Sequence, residues 1–292
     1  MMIRKAVGFL QITGAVVLLA GMGQAQKITY TRFQLPNSTF TEAIGINNAG
    51  DVVGWYNQGF PTQGFLYSGG VVTEIADPSA DAGTTAPIAI NTAGAIVGTY
   101  TNSRGRSQAF LDVNGVFSDI QAPGTVSGSD AAGINNLGQI VGMYYDVTGP
   151  WHGYFFDSVT LKFKTIDIPG APYTWAQGIN DNGLMVLSSL DSNNVQHAWL
   201  YNGKTFTNID VPGYANTVPE GINNQGMVTL IATTKAGLNY GFVYRAGQFT
   251  AVNPPGATSV SLRGINDLGE IVGNYTFASG NQGSFLAKLP QQ

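Results

Sequence analysis

Four ionisable side chains fall at one place in a recurring sequence pattern. Glu42, Asp130, Glu220 and Arg263 each lie one or three residues ahead of a glycine that opens a Gly-Ile-Asn triplet, and Gln177 shares that slot. Positions two apart on a strand face the same way, so these side chains would gather at the mouth of a central channel if the strands carrying them were innermost. Carboxylates so gathered can bind a divalent cation through oxygen or act as an acid–base pair on a sugar. The plainer alternative is that polar residues fill a wet channel mouth, with Arg263 neutralising the acids. The sequence favours the plainer alternative, so no catalytic residue is assigned, and Glu42, Asp130, Glu220 and Arg263 stand as candidates only.

A second set suits binding. Tyr173, Trp175 and Tyr214, with Asp77 and Asp81, are read as lying in loops that differ between copies of the pattern, as is Trp151; Arg104, Arg106, Asp146 and Asp191 share such loops. Ligand sites favour variable loops on a rigid frame, and aromatic rings suit the apolar faces of sugars and protein hot spots.

Other chemistry is poorly served. His152 and His197 are the only histidines, and they stand where Gln63 and Gln108 stand in other copies. A slot that accepts Gln as readily as His reads as a structural hydrogen-bond position. A zinc site needs more ligands, and the chain has no cysteine. Gly203-Lys204-Thr205 resembles the end of a phosphate loop, but Ala198 stands where that motif needs glycine. No metal and no cofactor is expected.

The elements that must hold these residues are written as a repeat. Its cores begin at 45, 89, 133, 178, 221 and 264, as in Gly133-Ile-Asn-Asn-Leu-Gly-Gln-Ile-Val-Gly142. Each unit reads as four strands. Strand A ends in the triplet, and an Asn-x-x-Gly turn leads to strand B, because Asn can bond its own backbone and Gly can take positive φ. Strand C carries Phe65, Phe110, Tyr154, Trp199, Phe242 or Phe285, and strand D stops at a proline. Units four and five depart from the pattern, with Leu187 and Leu230 in place of the strand B glycine. The segment before Pro36, with Tyr30, Phe33 and Leu35, looks like a spare strand D, while the sixth unit stops after strand C. Pairing the two would close a ring. The expectation is an all-β, six-bladed β-propeller of four-stranded blades over residues 26–292, the N-terminal strand completing the last blade. The A–B and C–D hairpins should be short and alike, and the B–C and D–A connections should form the variable face.

The repeat resembles the bacterial extracellular HAF-repeat family, named for a His-Ala-Phe stretch in strand C. The matching residues are His197-Ala198-Trp199, His152-Gly153-Tyr154, Gln108-Ala109-Phe110 and Gln63-Gly64-Phe65, together with the Gly-Ile-Asn-x-x-Gly-x-Ile-Val-Gly core. The resemblance covers about residues 28–289. It implies secretion or surface display and transfers no catalytic residue.

Composition agrees with an exported all-β chain. Residues 1–25 read as a signal peptide: Arg4 and Lys5, an apolar run, then Gly23-Gln24-Ala25 before a mature start at Gln26. No membrane span is expected after cleavage. The formal net charge is −4 and the 13 Lys and Arg residues are scattered, which argues against nucleic acid as a partner. The resulting functional expectation is a secreted, extracellular or periplasmic monomer that binds a glycan, polymer or protein without catalysis. The competing readings are a propeller-type sugar hydrolase, lyase or lactonase at the channel mouth, and a purely structural surface protein.

Overall fold

The computed structural model describes residues 27–57, 62–147 and 149–290. The signal-peptide reading of residues 1–25 lies outside the described residues. The fold is all-β and propeller-like: 24 strands and no helix among the described residues, hence no helix long and apolar enough to cross a membrane.

The repeat sets the strand pattern. In the first unit, strand A is Phe40–Ile46, B is Val52–Asn57, C is Gln63–Ser68 and D is Val71–Ile75, all antiparallel neighbours. Hydrogen bonding groups the strands into four sheets of four and one of eight. The eight-stranded sheet holds the strands of repeats two and three, joined through one parallel pair, Gly128 against Ser107. The N-terminal strand Thr29–Phe33 pairs antiparallel with the last strand, Gln282–Lys288, from Thr29 opposite Lys288 to Phe33 opposite Ser284.

The core lies between repeats rather than within them. Val53 and Ile75 of the first repeat pack with Ile90, Ile96, Tyr100 and Phe110 of the second. Equivalent clusters join each later pair. The series returns to its start, because Phe33, Leu35 and Val272 pack with Ala43, Ile46, Val52 and Phe65.

The triplet asparagines add a polar ring. The side-chain oxygen of Asn47 accepts from the backbone N–H of Ala49 and Asp51 at 3.0 and 2.9 Å, fixing its own turn. Its amide nitrogen then donates to the carbonyl of Asn91 at 3.1 Å. Asn91 donates to Asn135, Asn135 to Asn180, Asn180 to Asn223, Asn223 to Asn266, and Asn266 back to Asn47, at 2.9–3.1 Å. These asparagines are 3–7% exposed, so each buried donor needs this partner.

Two expectations about the turns need correction. The C–D hairpins are not alike: Gly69-Gly70, Asn114-Gly115 and Ala246-Gly247 are two-residue turns with positive φ at both residues, whereas repeats three and four use residues 158–161 and 202–205. Three of the B–C turns are more regular than expected. Asn102 N donates to Arg106 O, Asp191 N to Val195 O and Thr234 N to Leu238 O, the same five-residue turn at 2.9–3.0 Å each. In these three the variation lies in the side chains, not the backbone, whereas the third repeat connects Asp146 to Trp151 by a shorter turn.

Candidate functional site

The A strands converge so closely that the triplet position must be small. A Cβ on Gly133 would lie 2.9 Å from the Cα of Gly178, and one on Gly264 3.2 Å from the Cα of Gly45. Equivalent residues of the six A strands line a narrow cavity of about 110 Å³, which also reaches Gln177, Glu220 and Arg263.

Three of the four candidate ionisable residues meet at Arg263, which lines this cavity with Glu220. Arg263 donates from Nη1 to Glu220 at 3.0 Å and from Nη2 to Glu42 at 2.9 Å. Asn274 adds a bond to the same Glu42 oxygen at 3.3 Å. Burial pushes the Glu220 carboxyl above its ordinary range, opposed by Arg263. The charge of Glu220 in turn holds the guanidinium more firmly protonated. Asp130 is engaged elsewhere: Thr99 donates to its Oδ1 at 2.7 Å, and Ser107 donates to the same oxygen. Glycoside cleavage asks one carboxyl to donate and another to attack or to activate water across the substrate. Here Glu42 and Glu220 share one cation instead. Among the described residues no group of three or more His, Asp or Glu is placed to hold a metal.

The aromatic candidates sit differently from expectation. Tyr173 and Trp175 are not in a loop. They belong to strand A of the fourth repeat, Tyr173–Ile179, opposite Leu190 and Ser188. The strand starts earlier than the proline pattern suggests, because Thr174 is buried and its hydroxyl accepts from Ile168 N–H at 3.0 Å, anchoring the entry. The two half-buried rings stack at 5.9 Å and 8°. Trp175 holds the place in its strand that Glu42 and Asp130 hold in theirs, three residues before the triplet glycine.

Tyr214 is in a turn, but its ring already packs on Tyr240 and Phe242 at 5.9 and 5.3 Å. Trp151 opens strand C of the third repeat and lies 5.7 Å from the Tyr145 ring. Asp77 is 6% exposed, its carboxylate caps Ser79 N–H at 2.7 Å, and burial raises its pKa. It therefore serves a turn rather than facing solvent. Asp81 is exposed in its loop.

The histidines have aspartate partners in matching places. His152 Nδ1 lies 3.0 Å from Asp167 and Nε2 3.6 Å from Asp146. His197 Nδ1 lies 2.6 Å from Asp210 and Nε2 3.6 Å from Asp191. The Asp210 bond raises the pKa of His197, burial opposing. A folded-state pKa above the unfolded one adds stability that is complete below the unfolded value of about 6.5 and is lost as pH rises through the folded value. His197→Gln should therefore flatten the fall of the urea midpoint between about pH 6 and 8. An unchanged slope would remove His197 as its source.

On the B–C side, a cleft of about 420 Å³ lies where repeats two and three join. Its walls are the turn holding Arg104 and Arg106 and the segment 121–129.

No family model matches the chain, and no curated protein matches it. Solved structures do. The TolB of Acinetobacter baumannii superposes with a TM-score of 0.52 at 11% identity over 79% of this chain; the chain spans 60% of that protein. The SapL1 lectin, solved with alpha methyl fucoside, gives 0.55 at 12% identity, covering 87% of this chain and 94% of that one. The gluconolactonase XC5397 of Xanthomonas campestris gives 0.52 at 12%, covering 90% of each. At identities this low the superpositions establish a shared fold and nothing beyond it.

Proposed function

We propose that the chain is an exported, non-catalytic binding protein built as a six-bladed propeller. The six-blade count rests on the asparagine ring and on the clusters between successive repeats. On this reading the two halves of the eight-stranded sheet are separate blades touching through one pair. Export rests on the residue pattern of 1–25, and the resemblance to HAF repeats agrees with it.

One observation carries the choice of binding over catalysis. The acids at the channel are committed: Glu42 and Glu220 to Arg263, and Asp130 to Thr99 and Ser107. The ligand is a glycan, polymer or protein, held on the side of the B–C and D–A connections. The stacked Tyr173–Trp175 pair is an apolar surface suited to it.

The test is a glycan and protein binding screen run beside turnover assays on polysaccharides and lactones. Binding without turnover is expected. Trp175→Ala with Tyr173→Ala should weaken a ligand held on that pair by about thirtyfold, whereas Glu42→Gln should leave affinity unchanged. Turnover abolished by Glu42→Gln or Glu220→Gln would replace this reading with the enzyme one.

A further inference from the structure

The cleft between repeats two and three has an unusual charge. Arg104 and Arg106 line it, and no Asp or Glu does. Both arginines are exposed, and among the described residues neither forms an ion pair. In a chain with formal charge −4, neighbouring cations left uncompensated in one cavity need a reason. Asp130, the nearby acid at the seam, is turned to Thr99 and Ser107. Asp81 follows the bridge between Ala80 and Asn102, and its backbone N–H is held by Thr101 O at 2.8 Å.

The local fold fixes the backbone of the turn that carries both arginines. Asn102 Oδ1 accepts from the backbone of Arg104 and Arg106 at 3.0 and 3.2 Å, and Gly105 between them takes φ +68°. The opposite wall is fixed by the pairing of Gly128 with Ser107, and both residues line the cleft. The cavity is thus pinned at its floor, with its cations on one rim.

Its unused polar groups are mainly donors. Besides the arginines, the Gln121 side chain lines the cleft and has no partner among the described residues. Pro123 and Val126 add apolar lining, and no aromatic ring is present for stacking. The volume, about 420 Å³, falls within the range of about 300–1,000 Å³ usual for small-molecule sites. Guanidinium groups favour carboxylate and phosphate oxygens, which they can hold in bidentate fashion, and sulfate presents the same tetrahedral oxygens as phosphate.

We propose that this cleft binds an anionic saccharide, recognised through its carboxylate or sulfate groups by Arg104 and Arg106. The inference rests on the binding reading above and adds to it a separate place with its own ligand class. It does not involve Tyr173, Trp175 or the channel acids.

Calorimetric titration of the purified protein with oligogalacturonate, a heparin-derived oligosaccharide and neutral cellohexaose tests it. At least one acidic oligosaccharide should bind, the carboxylate and sulfate arms telling the two sources apart, and the neutral one should not. Raising salt from about 20 to about 200 mM should weaken binding, as screening demands. Each of Arg104→Gln and Arg106→Gln should cost about tenfold in affinity. Because both side chains are exposed, neither variant should change the melting temperature, which separates lost binding from lost folding. Acidic oligosaccharides that do not bind, or that bind the double variant as well as the parent, overturn the proposal. If cellohexaose binds instead, undisturbed by the double variant, the anionic cleft is wrong while the binding reading stands.

Discussion

A chain lacking residues 26–36 is expected to melt at least about 6 °C below the whole protein. The deleted segment contains the strand Thr29–Phe33, which pairs with Gln282–Lys288. It also contains Phe33 and Leu35, 8% and 2% exposed, which pack against Ala43, Ile46 and Phe65 of the first repeat. Tyr30 meets the Phe285 ring at 5.9 Å. Burying side chains of this size is worth about 1.5–3 kcal/mol each, and about 2 °C or more of melting temperature accompanies each kcal/mol in a chain of this length. The deletion also bares the strand Gln282–Lys288 as a sheet edge, which invites association with other chains. Scanning calorimetry and light scattering read both effects. A truncated chain that melts within a degree or two of the whole and stays monomeric would mean that the N-terminal strand contributes little to holding the first and last repeats together.

Arg263→Met is expected to destabilise the protein by about 3–5 kcal/mol at neutral pH, the usual cost of removing one partner from a buried charge cluster. It leaves Glu42 and Glu220, whose side chains are only 15% and 17% exposed, without their cation. The pH dependence identifies the cause. Burial already raises the Glu220 pKa in the intact protein, and without Arg263 that rise grows. A carboxyl raised above its unfolded value does no harm below that value, about 4.3, and loses stability as pH climbs through the folded value. The variant should therefore regain much of its deficit between about pH 7 and 5. Adding Glu42→Gln and Glu220→Gln to Arg263→Met should restore stability at pH 7, because neutral side chains need no counter-charge. Urea unfolding at the two pH values measures this. A deficit that neither acid nor the double amide relieves would place the role of Arg263 in packing rather than charge.

The repeat carries most of the architecture on its face. The even spacing of Gly-Ile-Asn, the hairpin signals and the displaced strand D are local chemistry, so strand order and the pairing of the N-terminal strand with the last strand follow from them. The partnership of Glu42 and Glu220 with Arg263 was legible in part from strand alternation, but Asp130, in the same slot as Glu42, was expected there too and turns instead to Thr99 and Ser107. Other features were not. The turn accounts for the Asn47 side-chain oxygen and, through Asp51, for one amide donor, but leaves the other unassigned. A buried donor must find an acceptor, yet which one depends on how closely the next repeat approaches. Tyr173 and Trp175 were read as loop residues because the preceding proline marks the end of strand D but not the start of strand A; the buried bond from Ile168 to Thr174 sets that start. The Arg104–Arg106 cleft was hidden for a different reason. Its second wall comes from the following repeat, and a pairing of single residues such as Gly128 with Ser107 leaves no periodic trace.

The asparagine ring also bears on how the molecule opens. A hydrogen-bonded row normally has two termini, and fraying starts there because the outermost members are held on one side only. In this ring each asparagine is both donor to one neighbour and acceptor from the other, and the bond from Asn266 to Asn47 removes the last terminus. Swinging out any one turn breaks two of these bonds at once, so partial opening has no inexpensive first step. Amide protons in these turns should then exchange with solvent only through large, cooperative openings. The face of the molecule that bears them becomes its slowest part to unravel, whichever repeat is disturbed first.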